Sequence, residues 1–210
     1  MAPLVDLLLW DVNGVLYDYD PDVRVAALAR ALGVDTDAVR DALFASGLED
    51  ASDAGEIGPE AYLAEVGRRL GTELDRDRWA GALAAAVTPR RDVLPVVEAV
   101  AGRVRCSTLS NNGLLVREMV GRIYPELAAL GIEVHVAAEY GESKPDRGIF
   151  VDACSSWGVE RTRAAFVDDK ATNAEGASRA GLHSHHFKDR DGLVAFLASL
   201  GLPPVAEGTP

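Results

Sequence analysis

The chain has 210 residues, 48% of them hydrophobic and 26% charged, and its formal net charge is −12 at pH 7. This length suits one domain, or one domain that carries an insert, and it is ample for a buried core. The excess of acidic residues argues against nucleic acid or an anionic membrane as a partner, because a polyanion is bound through a basic footprint. The same acidity suits a protein that gathers divalent cations.

The beginning of the chain is apolar but does not have the pattern of a targeting signal. It lacks a basic segment, and Asp6 interrupts the apolar run. No run elsewhere approaches the roughly 18–20 apolar residues of a membrane span. The two cysteines, Cys106 and Cys154, are too few for a disulfide framework. We therefore expect a cytoplasmic protein that neither enters a membrane nor binds nucleic acid.

The first predicted element is a strand at Leu4–Trp10, because buried parallel strands are apolar on successive residues. From residue 20 to residue 89 the sequence contains no convincing strand and has the pattern of amphipathic helices. The predicted helices are Val23–Leu32, Asp35–Phe44, Pro59–Leu70 and Asp77–Val87. Such a long helical stretch exceeds an ordinary connection between two strands and favours a separate small bundle.

Strand and helix patterns alternate over the rest of the chain. Further strands are predicted at Val104–Leu109, Ile132–Ala137, Ala164–Val167 and His183–Phe187. Helices are predicted at Val93–Ala101, Leu114–Ile123, Ile149–Trp157, Ala174–Ala180 and Gly192–Leu200. This alternation predicts an α/β fold with a Rossmann-like, three-layer core around a parallel sheet. We expect residues 1–19 and 90–200 to form the core, 20–89 an inserted helical unit, and 201–210 a flexible tail.

Polar residues follow each predicted core strand except the last, at the sheet edge where ligands of open parallel sheets bind. They are Asp11, Asn13, Ser110, Asn111, Lys144, Asp168, Asp169 and Asn173. Each of them alone has an ordinary explanation as a helix cap, a turn residue or a solvated charge. Three carboxylates at one edge, however, repel one another unless a cation lies among them. Their oxygen ligands predict Mg²⁺ as that cation.

Four sequence motifs in this order resemble those of the haloacid dehalogenase superfamily of hydrolases. They are LLLWDVNGVL at 7–16, CSTLSNNG at 106–113, GESKPDRGIF at 141–150 and AAFVDDKATNAEGASRAGL at 164–182. The resemblance covers nearly the whole chain, and the paired acids favour the metal-dependent, phosphatase-like branch. It implies a Rossmann-like catalytic core and identifies the helical insert with the α-helical (C1-type) cap of that family.

The resemblance implies a Mg²⁺-dependent hydrolase that acts on a small phosphorylated metabolite. Asp11 would be the nucleophile and would form an aspartyl-phosphate. Ser110 and the N–H of Asn111 would hold the phosphoryl oxygens, and Lys144 would neutralise charge on Asp11 and on the transferring group. The metal would be held by Asp11, by the main-chain carbonyl of Asn13 and by Asp169, with Asp168 acting through water and Asn173 bracing this loop.

Asn13 departs from the pattern of the family's phosphatases, which carry an aspartate at that position as the general acid and base. An amide cannot perform that role near neutral pH, and its loss costs about 10²–10⁴-fold in rate. Asn13 is open to three explanations: an engineered substitution, a natural change in a slow or non-hydrolytic descendant, or a substrate whose leaving group needs little protonation. The alternative functions are therefore a catalytically weak binding or scaffold protein, or a dehalogenase or phosphotransferase relative.

Overall fold

The computed structural model describes residues 2–202. Its first half contains β1 (Leu7–Trp10), β2 (Tyr17–Tyr19), α1 (Pro21–Leu32), α2 (Thr36–Arg40), a π-helical segment (Asp41–Ala45), α3 (Leu48–Asp53), α4 (Pro59–Leu70), α5 (Arg76–Ala86) and β3 (Val87–Pro89). Its second half contains α6 (Leu94–Ala101), β4 (Arg105–Thr108), α7 (Leu114–Glu118), α8 (Val120–Ile123), α9 (Pro125–Ala129), α10 (Arg147–Ser156), β5 (Ala164–Asp168), α11 (Ala171–Ala180), β6 (His183–His186) and α12 (Arg190–Ser199). Residues 203–210 of the predicted tail lie outside the described residues.

The core is a parallel four-stranded sheet in the order β4-β1-β5-β6. The central strand β1 pairs Trp10 with Thr108 on one side and with Val167 on the other. Alternate residues of β1 belong to two separate hydrophobic clusters: Leu8 and Trp10 to one, Leu7 and Leu9 to the other. Both faces of the sheet are therefore covered, and the predicted Rossmann-like α/β fold is confirmed.

The strand predicted at Ile132–Ala137 is wrong. This segment runs beside β4 but pairs only at isolated bridges, Ser107 with Glu133 and, beyond the end of β4, Ser110 with Val136. The N–H of His135 donates to the Thr108 hydroxyl at 3.1 Å, not to a main-chain carbonyl. The side-chain hydroxyl thus replaces a backbone partner, and the regular ladder is interrupted. The segment is still held at the sheet edge, because the Ala137 N–H donates to the Ser110 carbonyl at 2.8 Å.

The expectation that no strand lies within residues 20–89 is wrong at the end of that interval. Strand β3 (Val87–Pro89) pairs antiparallel with β2, so that Tyr17 faces Pro89. The two connections to the helices α1–α5 run side by side, and pairing satisfies their backbone groups. Strands of three residues are too short to show a period in the sequence, and for that reason this ribbon was missed.

The helix α3 and the break between α7 and α8 are further differences from the predicted elements. Helix α3 has the polar sequence LEDASD and follows Gly47, whose φ of 76° lies in the left-handed region. The helix predicted at Leu114–Ile123 is interrupted at Met119, where φ is −106° and ψ is 16°. Among residues 2–202, no helix is both long and apolar enough to cross a membrane.

Candidate active site

Asp11 directly follows β1 at the carboxyl edge of the sheet, and its N–H continues the pairing by donating to the Val167 carbonyl at 2.9 Å. The turn that follows depends on Gly14, which has a φ of 97°. A Cβ atom at Gly14 would lie 2.4 Å from the Asp169 Cγ. The glycine therefore permits both the left-handed turn and the close approach of the Asp169 carboxylate to this loop.

Lys144 joins two of the carboxylates at this edge. Its Nζ donates to the Asp11 Oδ1 at 2.7 Å and to the Asp168 Oδ2 at 2.7 Å. The lysine side chain is 1% exposed. A buried ammonium requires such partners, because an unpaired charge in the interior is strongly disfavoured. Burial opposes the charged form of Lys144, but the two carboxylates outweigh it and raise the lysine pKa.

Asn111 fixes the backbone of Lys144 through a pair of hydrogen bonds. The Asn111 Nδ2 donates to the Lys144 carbonyl at 2.9 Å, and the Lys144 N–H donates to the Asn111 Oδ1 at 2.9 Å. The loop after β4 is thereby tied to the loop that carries the lysine. Ser110, on the same loop, is buried, and its hydroxyl accepts from the Asn112 Nδ2 at 3.0 Å.

Asp168, at the end of β5, is fully buried and is held by protein donors on both oxygens. The Asn173 Nδ2 donates to its Oδ1 and Oδ2 at 3.1 and 3.0 Å. The Lys170 N–H donates to its Oδ1 at 2.8 Å. With Lys144 as a further donor, this carboxylate is fixed in position and orients the lysine.

The structure brings the three predicted carboxylates into one cluster. Asp11, Asp168 and Asp169 each offer an oxygen, and these oxygens lie within 4.8 Å of one another. Burial raises the pKa of Asp11 to about 6; the neighbouring aspartates add to the increase, whereas Lys144 opposes it. Burial, followed by the charge of Asp168, also raises the pKa of Asp169. Both shifts reflect negative charge confined in a poorly solvated place.

The Asp169 carboxylate shows how well this cluster fits a cation. Its Oδ1 is buried and has no hydrogen-bond partner among the described residues. A buried carboxylate oxygen without a donor is costly unless a cation or ordered water satisfies it. The available ligands are hard oxygens, which suit Mg²⁺ more than a softer transition metal.

Tyr124 is a residue of this site that the sequence analysis missed. Its hydroxyl donates to the Asn13 Oδ1 at 3.2 Å. Its ring is buried and packs on Tyr17 with a distance of 4.8 Å between ring centroids. Burial raises the pKa of Tyr124 well above its usual value. The phenol is therefore a fixed neutral donor, and the contact spans 111 positions in sequence, which leaves no local signal for it.

A cavity of about 310 Å³ opens above these residues. Its core side, which we call the floor, includes the predicted residues Asp11, Asn13, Asn111 and Lys144. Its opposite side, the roof, is formed by β2 and the helical stretch that follows it. The charged roof residues are Arg24, Glu49, Asp50 and Asp53. Ser110, Asp168 and Asp169 are not among the residues that line this cavity.

Comparison with known proteins identifies the family of this chain. The model of the haloacid dehalogenase-like hydrolases matches residues 5–181. The chain belongs to this family. It is also 26% identical, over 200 residues, to a glyceraldehyde 3-phosphate phosphatase of Methanopyrus kandleri, a match that covers 85% of this chain and 82% of the relative. This HAD-like hydrolase thus has a curated phosphatase as a relative.

Solved structures of the family share the fold at low sequence identity. One is a predicted HAD-like hydrolase of Porphyromonas gingivalis, with a TM-score of 0.73, 20% identity, and coverage of 93% of this chain and 98% of that one. Another is a HAD family enzyme of Bacteroides thetaiotaomicron in complex with magnesium and inorganic phosphate. It has a TM-score of 0.72, 17% identity, and coverage of 88% of this chain and 94% of that one.

Proposed function

We propose that this HAD-like hydrolase is a Mg²⁺-dependent phosphatase that forms an aspartyl-phosphate on Asp11 and acts on a small phosphorylated metabolite. The observation that carries the proposal is the cluster at the sheet edge. Asp11 opens to the cavity, touches the buried Lys144 at 2.7 Å, and has an oxygen within 4.8 Å of an oxygen of Asp169, whose Oδ1 has no hydrogen-bond partner among the described residues. The phosphatase relative and the family member solved with magnesium and phosphate support the same chemistry.

We propose that residues 1–19 and 90–200 act as the catalytic core and 20–89 as a cap that closes over the substrate. The cavity between floor and roof supports this division. Its volume of about 310 Å³ is at the lower end of the range of ~300–1,000 Å³ that ligand pockets occupy. A small metabolite therefore fits, whereas a phosphorylated macromolecule would have to present its phosphate on a narrow, protruding segment.

In the first step, an oxygen of Asp11 forms a bond to phosphorus as the bond between phosphorus and the leaving oxygen breaks. The phosphoryl group is then carried by Asp11. Lys144 holds the attacking carboxylate in place and offsets negative charge in the transition state. Ser110 and the backbone N–H of Asn111 would bind the phosphoryl oxygens.

In the second step, water forms a bond to phosphorus and loses a proton, and the bond to the Asp11 oxygen breaks. Inorganic phosphate leaves, and Asp11 is ionised again. Two proton transfers are required in all: one to the departing oxygen, and one from the attacking water. The amide of Asn13 supplies neither, so these transfers fall to solvent, and we expect turnover about 10²–10⁴-fold slower than with a carboxyl group there.

Mg²⁺ would be held by the carboxylates of Asp11 and Asp169 and by the main-chain carbonyl of Asn13. When bound, it would supply positive charge that lets two anions, the Asp11 carboxylate and the phosphate, approach each other. Asp168 would contact the metal through water and not directly, since protein donors already occupy both of its oxygens. Replacing the Asn13 side chain leaves its carbonyl, so metal binding does not depend on the amide.

A second candidate function follows from the fixed amide of Asn13. Tyr124 donates to its side-chain oxygen, so the amide has a defined hydrogen-bond partner in the site. A chain that binds a phosphorylated ligand through this site, without useful turnover, would retain the same contacts. Such a protein would serve as a binding or scaffold module.

A panel of phosphomonoesters and acyl phosphates, assayed with Mg²⁺, tests the proposal. We expect release of inorganic phosphate from at least one small ester, and its loss in Asp11→Ala and on addition of a chelator. Asp152→Ala, an exposed carboxylate on α10, serves as the matched control and should retain activity. Turnover that survives Asp11→Ala would contradict the proposal, whereas tight binding without any turnover would favour the binding module.

A further inference from the structure

Helix α3 brings the roof of the cavity into close contact with the core. A Cβ atom at Gly113, in the core, would lie 2.2 Å from the Ser52 hydroxyl oxygen. A Cβ atom at Gly55, just after α3, would lie 2.6 Å from the Ala138 carbonyl oxygen. In this structure the charged side chains of α3 line the same cavity as Asp11 and Lys144, so their charge acts on whatever lies there.

Among the described residues that line the cavity, Arg24 is the one cation on the roof side, and its charge is already balanced. The guanidinium donates through both terminal nitrogens to the Glu49 carboxylate, at 3.2 and 2.8 Å. The two side chains are 5% and 20% exposed. Tyr62 also donates to the same carboxylate. Separating this pair would leave a buried charge without a partner, so the positive charge of Arg24 is committed to Glu49, and its Nε is the one guanidinium nitrogen without a hydrogen-bond partner among the described residues.

The remaining charged groups of the roof are carboxyls. Asp50 is exposed at the rim of the cavity, and Asp53 is partly buried. Burial, followed by the charge of Glu49, raises the pKa of Asp53 to about 8. A carboxyl group that keeps its proton near neutral pH indicates surroundings that disfavour negative charge. The protonated group is instead a hydrogen-bond donor for an uncharged oxygen.

The other cations of the cavity belong to the floor. Lys144 is shared by Asp11 and Asp168, and Lys170 lies on the loop that follows β5. Both are on the side where the phosphoryl group would react. Among the described residues that line the cavity, the roof thus offers no unbalanced positive charge to the part of the substrate that points away from the reacting phosphate.

We infer that the substrate is a phosphate monoester whose leaving group is uncharged and carries hydroxyl or carbonyl oxygens. A second anionic group is disfavoured because the roof offers it no unbalanced cation and because the Asp50 carboxylate lies at the rim. This inference rests on the proposed function for the position of the phosphate. Like charges brought together in a partly desolvated site oppose binding strongly, whereas a neutral oxygen finds donors.

The experiment compares two ligands that differ by one group: glycerol 3-phosphate, and 3-phosphoglycerate, in which a carboxylate replaces a hydroxymethyl group. Binding is measured by calorimetry with Mg²⁺ in the Asp11→Asn protein, which cannot turn the ligands over. We expect 3-phosphoglycerate to bind at least about tenfold more weakly. Asp50→Lys in the same background should narrow the ratio, and Asp41→Lys, an exposed carboxylate outside the cavity, should leave it unchanged.

Equal binding of the two ligands, tighter binding of 3-phosphoglycerate, or the same change in both Lys variants would overturn the inference. Hydrolysis of the two esters by the unmodified protein is assayed in parallel. Selective binding without hydrolysis would support the inference and contradict the proposed phosphatase. Hydrolysis of both esters with equal affinity would support the proposed phosphatase and contradict the inference. If neither ester binds, both the inference and the proposed phosphatase are contradicted.

Discussion

Lys144 governs the electrostatics of the candidate site because a single ammonium group serves two carboxylates. Its contacts with Asp11 and Asp168, both at 2.7 Å, hold the proposed nucleophile against a residue that is itself fixed by Asn173. Removing one partner of a buried ion pair typically costs about 3–5 kcal/mol, because the other charge is left uncompensated. The lysine is therefore as much a requirement for folding as for the proposed chemistry.

Asn13→Asp should raise phosphatase activity by at least about tenfold, toward the 10²–10⁴-fold range of general acid–base catalysis. The two side chains have nearly the same shape, Tyr124 can donate to either, and the main-chain carbonyl is common to both. The substitution supplies a carboxyl group that can transfer protons, which the amide cannot. Steady-state kinetics with a phosphomonoester measure the gain.

Asn13→Ala is the matched control for that gain, since it removes the amide without adding a carboxyl group. Asn13 precedes Gly14, and such pairs deamidate, so intact-mass and peptide analysis must confirm that the amide is present. If fresh protein with Asn13 is as fast as Asn13→Asp, Asn13 is itself a working catalytic feature and the argument from proton transfer fails.

Asp169→Ala should abolish the binding of one Mg²⁺ ion per chain, as measured by titration calorimetry in the absence of substrate. The Asp169 Oδ1 is the buried carboxylate oxygen that has no donor among the described residues, whereas the oxygens of Asp168 are occupied. Asp152→Ala, an exposed residue of α10 that is not part of the carboxylate cluster, should bind Mg²⁺ as before. Unchanged Mg²⁺ binding in Asp169→Ala would show that the metal, if bound, is held elsewhere.

At the scale of elements, the short helix α3 connects the stability of the fold to the character of the cavity. It carries Glu49, which pairs with Arg24, and Asp53, whose pKa of about 8 is raised mainly by burial. Because the folded state holds a proton on Asp53 that the unfolded chain releases at about pH 4, the folded state binds more protons between these pH values. The contribution of Asp53 to the free energy of unfolding therefore decreases from about pH 4 to pH 8.

Asp53→Asn should remove this decrease, since the amide does not titrate. Urea denaturation of both proteins in metal-free buffer at pH 5 and pH 8 measures it. From pH 5 to pH 8, the free energy of unfolding of the variant should rise relative to that of the unmodified protein by on the order of 1–3 kcal/mol. The effect is smaller than the pKa shift alone would give, because Asp53 is partly solvated. An identical difference at both pH values would show that Asp53 is ionised in the folded state throughout this range.

The elements that the sequence predicted well are those with a clear period or a sharp boundary. Helix α4 has the predicted bounds, because Pro59 begins it and Gly71, in the left-handed region, ends it. The floor residues Asp11 and Asn111 were predictable because each follows a buried strand, and parallel strands bring their carboxyl ends together, whereas Lys144 follows a segment that pairs only at isolated bridges.

The remaining features depend on contacts that leave no local pattern. The strand predicted at Ile132–Ala137 has the right composition, but a side-chain hydroxyl of β4 interrupts its pairing. The β2–β3 ribbon joins residues that are distant in sequence and only three long on each side. The Tyr124 contact with Asn13 and the Arg24 contact with Glu49 likewise arise from tertiary packing. The roles proposed for the site residues stay predictions.

At the scale of the whole molecule, exposed ion pairs join the helices of the proposed cap to the core. Arg122 of α8 donates to the Asp77 carboxylate of α5 at 3.2 Å, and Arg76 of α5 pairs with Glu118 of α7. Such pairs contribute about 0–1 kcal/mol each. Apolar packing, and the close contacts of α3 with Gly113 and Ala138, therefore dominate this interface.

The double variant Glu118→Ala and Arg122→Ala breaks only the two pairs that join the proposed cap to the core. It should lower the free energy of unfolding by less than about 2 kcal/mol, and the loss should shrink in 1 M salt. Arg40→Ala, which breaks the exposed pair with Asp22 within the proposed cap, is the matched control and should give a loss of similar size per pair. A much larger effect of the double variant, or one that salt does not screen, would show that these ion pairs hold the two parts together.

The central claim is that Asp11 takes up the phosphoryl group, and the most direct measurement is to trap that group on the chain. The protein is incubated with Mg²⁺ and acetyl phosphate, whose leaving group needs little protonation, quenched in acid, and digested with trypsin. We predict one phosphoryl group on the peptide that ends at Arg24, released by hydroxylamine as an acyl phosphate is, and absent in Asp11→Ala. Phosphate release without any label at Asp11, or a label that persists in Asp11→Ala, would contradict the claim.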